Sequence, residues 1–467
     1  MNVLLSLLQK STDYNQLLKA VEAKQAVAVS GLSQAPRSHV LAAVHEQSGR
    51  PLVAVCQDDM AAKRLASELG AFLGEEPPVL PSRELTLAGA IGVSRQWEQQ
   101  RLRLLYALAQ GRVPVLVASL DALLLRTLPR QTLFSASVTL RVGAEYIMPE
   151  LNERLTRAGY SRASLVEGVG QFALRGGILD VYSPAQEKPL RAEFFGDELD
   201  TMGYFDPITQ RRTENVDEAV LLPVAETEPH LHPQGISGLC EDLRAIIARQ
   251  QRRKTPNQAL IETLQKDCEA LENETLFASA DRYMALIYPE FTTAASYLPQ
   301  EAVVAFCDHG NLQRGEKDRA EEFGLLLDSF LTSGTLFGEL CDYYATMDDL
   351  AASLRGRAVI YCDSFLAARY PESLPPKQLL SFTARQLPGY GGSLETAAAD
   401  LKNYASNQYG SIVLCGGQRR GEILKELLAK SGLNALLSFP LTKLPQPGQI
   451  LIAGGSLPAG LEYPTLK

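Results

Sequence analysis

Hydrophobic and polar residues alternate in a regular rhythm over the first 134 residues. Short apolar runs of strand length, at residues 26–30, 52–56 and 115–118, are followed by segments whose apolar residues recur at helical spacing. A further helical pattern spans about residues 95–110. Strands that alternate with helices in this way are typical of a parallel sheet covered by helices. The sequence therefore predicts an α/β domain at residues 1–134.

A pattern with a period of two residues follows and predicts small antiparallel strands. In the run LRAEFF at residues 190–195, successive side chains point to opposite faces of a strand. The apolar members Leu190, Ala192 and Phe194 are predicted to face a core. The opposite face carries Arg191, Glu193 and Phe195. Arginine beside a large aromatic residue is typical of binding hot spots, so we expect this face to hold a partner.

The remaining patterns complete a four-part organisation and an α/β multidomain fold class. Residues 135–223 are predicted to form a compact α+β insert, and residues 224–373 a mainly helical continuation with isolated strands at 303–307 and 359–362. The proline pair Pro375 and Pro376 marks the predicted boundary before a C-terminal α/β domain at residues 374–467.

Charge and hydropathy argue against two kinds of partner, nucleic acid and the membrane interior. The formal net charge of -9 opposes binding to a phosphate backbone. The best candidate for a DNA-binding patch is a basic run, which we interpret instead as a solvated face of a helix. It consists of Arg249, Arg252, Arg253 and Lys254. No apolar stretch reaches the roughly 20 residues of a membrane span, and the first residues lack a secretory signal pattern, which predicts a cytoplasmic protein.

The seven cysteines show no CxxC pair. Several of them end apolar runs, where cysteine acts as a small buried hydrophobic residue. The spacing therefore predicts neither a disulfide framework nor a metal site.

A damaged phosphate loop follows the first predicted strand. The segment GLSQAPRS, from Gly31 to Ser38, stands where GxxxxGK[ST] would stand, but Pro36 replaces the second glycine and Arg37 replaces the lysine. Proline offers no N–H to a phosphate, and arginine presents a planar fork of different reach. We expect ATP to bind poorly or not at all here; the segment taken alone also fits an ordinary turn between a strand and a helix.

The acidic motif that would accompany a working phosphate loop is missing. Asp217 and Glu218 follow RRTENV, which is not an apolar strand, so they do not form a DExH box. Asp308 and Asp363 follow better strands but lack an acidic neighbour, and are interpreted as turn residues at strand ends.

The segment RGGILDVYSPAQEKPLRAEFFGDELDTMGYFDPITQR, together with the degenerate loop, resembles the UvrB homology module of bacterial transcription-repair coupling factors. The resemblance covers essentially the whole chain and implies a RecA-like fold for the first domain. It also implies a non-catalytic adaptor that recruits UvrA, the damage-recognition component of the excinuclease, in transcription-coupled nucleotide excision repair. The residues it implies for the UvrA contact are Arg175, Arg191 and Phe195, with Glu193, Asp197 and Glu198 as neighbours.

The resemblance further implies functions for the rest of such a protein. In that family the whole protein acts on stalled RNA polymerase through an ATP- and Mg²⁺-dependent DNA translocase, and a C-terminal domain masks the UvrA-binding face. The chain stops within LPAGLEYPTLK, which leads us to expect a fragment with those parts beyond Lys467 and no cofactor of its own.

Two alternatives stay open. One is an active, ATP-dependent helicase domain like that of the excinuclease component UvrB, which has an intact phosphate loop and a tyrosine-rich hairpin; here the corresponding residues 78–96 contain no tyrosine. The other is independent DNA binding, which the net charge opposes.

Overall fold

A computed structural model describes residues 3–88, 96–273, 277–367, 369–390 and 392–466. Its strands are β1 (Ala26–Ser30), β2 (Leu52–Cys56), β3 (Val79–Leu80), β4 (Val115–Ser119), β5 (Val138–Arg141), β6 (Ser161–Arg162), β7 (Gln171–Arg175), β8 (Ile178–Val181), β9 (Leu190–Phe195), β10 (Glu198–Phe205), β11 (Arg212–Asn215), β12 (Glu218–Leu221), β13 (Val303–Cys307), β14 (Ala358–Cys362), β15 (Gln378–Ser381), β16 (Arg385–Gln386), β17 (Ser411–Cys415), β18 (Ala435–Ser438), β19 (Ile450–Gly454) and β20 (Leu461–Glu462).

The α-helices lie between and around these strands. They are α1 (Val3–Ser6), α2 (Thr12–Glu22), α3 (Gln34–Ser48), α4 (Asp59–Leu73), α5 (Gln96–Ala109), α6 (Leu120–Leu124), α7 (Arg130–Ala136), α8 (Met148–Arg157), α9 (Gly235–Gln251), α10 (Gln258–Glu272), α11 (Met284–Ile287), α12 (His309–Thr332), α13 (Met347–Ser353), α14 (Leu394–Ser406) and α15 (Gln418–Lys430).

A parallel sheet of seven strands forms the centre of the molecule. Its strand order is β15-β1-β14-β13-β2-β4-β3, and every pair in it is parallel. The inner strands β1, β2, β4, β13 and β14 are buried along their whole length. Apolar residues cover both faces because helices pack on both sides, as in other parallel sheets.

The positions of three strands in this sheet differ from the sequence-based prediction. The strands at 303–307 and 359–362 are not isolated, because β13 and β14 lie side by side between β1 and β2. In addition, β15 pairs with β1 although it lies beyond residue 374. The chain therefore returns to its first sheet after the insert and the helical region.

The insert carries a separate sheet of six strands in the order β11-β10-β9-β8-β7-β6. Its strands are antiparallel except for the short β6–β7 pair. One face packs on α8 and on the two-stranded sheet of β5 and β12, and the resulting core includes Leu155, Leu179 and Ala192. The other face carries the candidate site.

A third, smaller core lies near the C-terminal end. The parallel strands β17, β19 and β18 pack against α14 and α15 around Leu428 and Ile452. In the part of the chain that the structure describes, no helix has both the length and the apolar character to cross a membrane.

Candidate partner-binding face

Strand register places the predicted face on one side of the six-stranded sheet. Asp180 in β8 lies opposite Arg191 in β9, and Ile178 lies opposite both Glu193 and Arg175. Along β9, burial alternates as predicted up to the exposed end of the strand. We call the set Arg175, Ile178, Asp180, Arg191, Glu193 and Phe195 the docking face.

Two guanidinium groups of the docking face share one buried carboxylate. Asp180 has no exposed surface. The Nε of Arg191 donates to its Oδ1 at 2.6 Å and the Nη2 donates to its Oδ2 at 2.9 Å, which is a bidentate pair. Arg175 donates through Nη2 to the same Oδ2. Hydrogen bonding to Asp180 raises the pKa of Arg191.

Apolar side chains stand exposed beside these charges. Phe195, at the end of β9, is 85% exposed, and Ile178 is 37% exposed. The side chain of Arg175 is 48% exposed, whereas that of Arg191 is only 20% exposed. Glu193 faces Arg212 across the sheet, with 3.7 Å between Oε1 and Nη1. The docking face thus presents an aromatic ring and a cation to the solvent.

A tight hairpin holds the acidic neighbours of Phe195. Gly196 adopts a φ of 65°, which a two-residue hairpin loop requires and glycine adopts without strain. Asp197 and Glu198 follow it with exposed side chains. The carbonyl oxygen of Asp197 accepts a hydrogen bond from the N–H of Tyr146 at 2.7 Å. The loop is thereby fixed to the insert, next to the exposed ring.

The structure brings the six predicted contact residues together on the insert and adds two that the sequence reasoning missed. Asp180 and Ile178 lie in the apolar run ILDV, which the sequence predicts only as a strand. A signal was available, because an aspartate inside a buried strand normally has a charged partner. The partner, Arg191, has the matching position in the next long strand.

The degenerate phosphate loop lies between β1 and α3, and its backbone donors are used within the chain. The N–H of Gly31 donates to the carbonyl oxygen of Ser364 at 3.2 Å, and that of Leu32 donates to the carbonyl oxygen of Asp363 at 3.3 Å. Gly31 has a φ of 80°, and a Cβ there would lie 2.0 Å from the carbonyl oxygen of Phe382. The backbone of Phe382 therefore packs directly against Gly31 and leaves no room for a side chain there.

The side chains of the loop are engaged as well. Arg37 is 8% exposed and donates through Nη2 to Asp308 Oδ1 at 2.7 Å. Ser38 is fully buried and donates to Glu68 Oε2 at 2.5 Å. Pro36 lies in the first turn of α3, where a helix needs no intrahelical N–H donor. The side chains at the positions of the phosphate-binding lysine and serine of an intact loop thus make contacts within the chain.

The acidic residues considered for metal binding occupy separate structural positions. Glu218 lies in β12 and pairs with Arg141, with 2.8 Å between Oε2 and Nε. Asp308 and Asp363 follow β13 and β14 directly. Asp363 Oδ1 accepts a hydrogen bond from the N–H of His309 at 2.7 Å. The distances thus describe ion pairs and turn contacts.

One group of possible metal ligands comes from helices that are apart in sequence. Cys240 in α9 and Cys268 and Glu272 in α10 bring their ligand atoms within 4.8 Å of one another. Arg244 already donates to Glu272. The group supplies three ligands, whereas a structural zinc site has four.

Comparisons with known proteins agree with this geometry. The UvrB interaction domain family matches residues 138–226, which contain the whole docking face. The transcription-repair-coupling factor of Bacillus subtilis is 23% identical over 98% of this chain, and that of Staphylococcus aureus strain USA300 is 26% identical over 99%. A relative of the same name from Myxococcus xanthus is 38% identical over 46% of the chain.

The chain spans 39% of the length of the Bacillus and Staphylococcus relatives that it matches. The similarity therefore concerns one part of those longer proteins, and in this chain it extends through the central sheet, the insert and the C-terminal strands. Over nearly its whole length the chain is similar to the transcription-repair-coupling factors, and its residues 138–226 match the UvrB interaction domain family.

Proposed function

We propose that this chain is a non-catalytic adaptor that recruits UvrA during transcription-coupled nucleotide excision repair. The observation that carries the proposal is the exposed ring of Phe195 on the same sheet face as Arg175, within a domain that matches the UvrB interaction domain. The similarity to transcription-repair-coupling factors supplies the repair context.

The chemistry of the docking face supports a protein partner. A phenylalanine that is 85% exposed gains hydrophobic free energy when a partner pocket covers it. The guanidinium of Arg175, on the same docking face, adds a directional interaction, because it pairs best with a carboxylate in a fixed geometry. An apolar pocket with a carboxylate placed to pair with Arg175 is therefore the complementary surface that we expect on UvrA.

The loop contacts support the non-catalytic part of the proposal. An ATP-hydrolysing domain needs free backbone donors and a cation that can reach the terminal phosphates. In this chain Gly31 and Leu32 donate to nearby carbonyl groups and Arg37 is paired with Asp308. The alternative of an active helicase domain like that of UvrB is therefore the weaker candidate.

The proposal places the other activities in the remainder of a full-length protein. These are contacts with RNA polymerase and DNA, an ATP- and Mg²⁺-dependent motor, and a C-terminal domain that masks the docking face. A full-length protein at rest that binds UvrA as tightly as this chain does would contradict the mask.

The test is a titration of the chain with its cognate UvrA, followed by calorimetry. Replacing Phe195 or Arg175 by alanine is expected to weaken binding by about 2 kcal/mol or more, as truncation of a hot spot does. Phe365→Ala and Arg249→Ala are matched controls, since Phe365 is 88% exposed and the Arg249 side chain is 55% exposed, outside the UvrB interaction domain. Equal affinities for Phe195→Ala and Phe365→Ala would exclude this face.

A further inference from the structure

We infer that Asp180 is a positioning residue of the docking face: it holds Arg191 as an internal brace and orients Arg175, which supplies the guanidinium donors available to the partner. This inference rests on the proposed function, since it concerns how that same face meets UvrA. Arg191 and Arg175 look equivalent in the sequence, but Arg191 has an inner, structural role and Arg175 an outer role that faces the partner.

The contacts of Arg191 within the chain leave few of its N–H donors available to a partner. Its Nε and Nη2 are bonded to Asp180, and its Nη1 donates to the carbonyl oxygen of Gln210 at 3.2 Å. Its guanidinium carbon lies 4.6 Å from the centre of the Phe205 ring, a ring that is fully buried. Arg191 is therefore fixed from several sides, and it ties β8, β9 and the turn after β10 together.

Arg175 has the opposite character. It lies in β7 and touches Asp180 through Nη2, while nearly half of its side chain is exposed. A guanidinium has five N–H donors, so most of those of Arg175 remain directed away from Asp180. The turn after Arg175 also approaches Phe195, because the N–H of Phe194 donates to the carbonyl oxygen of Gly177 at 2.7 Å.

The arrangement has a physical advantage for binding. A long exposed arginine loses rotamer freedom when a partner immobilises it, and this entropic cost opposes binding. The bond to Asp180 immobilises Arg175 in advance, so less of this cost falls on the complex. A buried carboxylate is itself stable only when it is well paired, and the bidentate contact with Arg191 supplies that pairing.

The variant Asp180→Asn separates orientation from charge. It raises the net charge of the docking face by one, so a purely electrostatic role of the arginines predicts tighter binding to an acidic partner. Our inference predicts the reverse, a loss of at least tenfold in affinity for UvrA. Affinity that stays the same or rises would overturn the inference.

A double-mutant cycle supplies the readout that a merely structural role would not produce. If Asp180 acts through Arg175, the effect of Asp180→Asn should largely vanish in an Arg175→Ala background. A loss of the same size in both backgrounds would refute this coupling. Circular dichroism and the melting temperature establish that each variant is folded.

A second variant keeps the inference testable if Asp180→Asn does not fold. Arg191→Lys retains the positive charge but cannot make the bidentate pair, and we expect it also to weaken binding at least tenfold. Wild-type affinity for Arg191→Lys would refute the inner role of Arg191. Phe195→Ala tests the proposed function separately from the role of Asp180. Normal UvrA binding by Phe195→Ala would mean that the docking face is not the binding surface. Weak binding by Phe195→Ala, with wild-type binding by Asp180→Asn and Arg191→Lys, would refute only the role of Asp180.

Discussion

Asp363 is a buried acid at the carboxyl end of the central sheet, directly after β14. Its carboxyl group follows β14 and is 3% exposed. Burial raises its pKa to about 6, against the opposing effect of the N–H of His309 and with a further increase from Asp308. A pKa that is higher in the folded state than the unfolded value of about 3.9 means that folding favours the protonated acid.

The variant Asp363→Asn tests this at the residue scale. The stability that the acid form provides is fully present below about pH 4 and is lost as the pH rises through about 6. Asparagine does not ionise and can still accept the hydrogen bond from His309. We therefore expect the free energy of unfolding of the variant, relative to wild type, to rise by up to about 3 kcal/mol between pH 4 and pH 7.

Urea denaturation across this pH range measures the difference. Above pH 7 the difference should be constant, because Asp363 is then ionised in both states. A difference that stays flat from pH 4 to pH 7 would show that burial does not control this group.

At the scale of single elements, the sequence predicts the type of most strands and helices but not their partners. The buried strands β13 and β14 are recognisable as apolar runs, since a strand covered on both faces is apolar throughout. Their neighbours are not recognisable, because β13 pairs with β2 and β1 pairs with β14 across hundreds of residues. Only long-range packing decides such pairings.

For the docking face, too, local positions are predictable from the sequence and long-range contacts are not. The alternation in β9 places Arg191, Glu193 and Phe195 on one face from local geometry alone. The contact between Asp180 and two arginines depends on the register of three strands, which no single segment contains. The exposed positions were therefore predictable, whereas the register that brings Asp180 to both arginines was not.

The phosphate loop provides the prediction for an element. Restoring its motif with the double variant Pro36→Gly, Arg37→Lys should not restore ATP binding, because the surrounding contacts remain. The N–H groups of Gly31 and Leu32 still meet carbonyl oxygens, and Ser38 still bonds to Glu68. Calorimetric titration with MgATP should show no binding at micromolar concentrations for either the wild type or the variant.

A matched measurement makes this result informative. The unfolding temperature of the double variant should fall, since lysine replaces an arginine that is 8% exposed and paired with Asp308. Micromolar ATP binding by the variant alone would mean that two substitutions, and not the surrounding contacts, closed the site. Binding by the wild type would contradict the non-catalytic proposal itself.

At the scale of the whole molecule, a buried charge cluster joins the insert to the α/β domain. Glu226, at the end of the UvrB interaction domain, has no exposed surface. Its Oε1 accepts from Arg101 Nε at 2.6 Å, and its Oε2 accepts from Thr127 at 2.6 Å and lies 3.8 Å from Arg83 Nη1. The end of the UvrB interaction domain is therefore fixed to the α/β domain through an anchor of paired charges.

Replacing Glu226 by glutamine keeps the shape of this anchor and removes its charge, which leaves the buried guanidinium of Arg101 without its carboxylate. Breaking one partner of a buried pair costs about 3 to 5 kcal/mol, so the urea midpoint should fall clearly. Glu301→Gln is the control, because Glu301 is 57% exposed and pairs with Lys24 at the surface, where such pairs contribute less than about 1 kcal/mol. Equal midpoints for the two variants would show that Glu226 does not anchor the insert. A large loss for Glu226→Gln alone would mean that the buried pairs of Glu226 stabilise the fold far more than an exposed ion pair does.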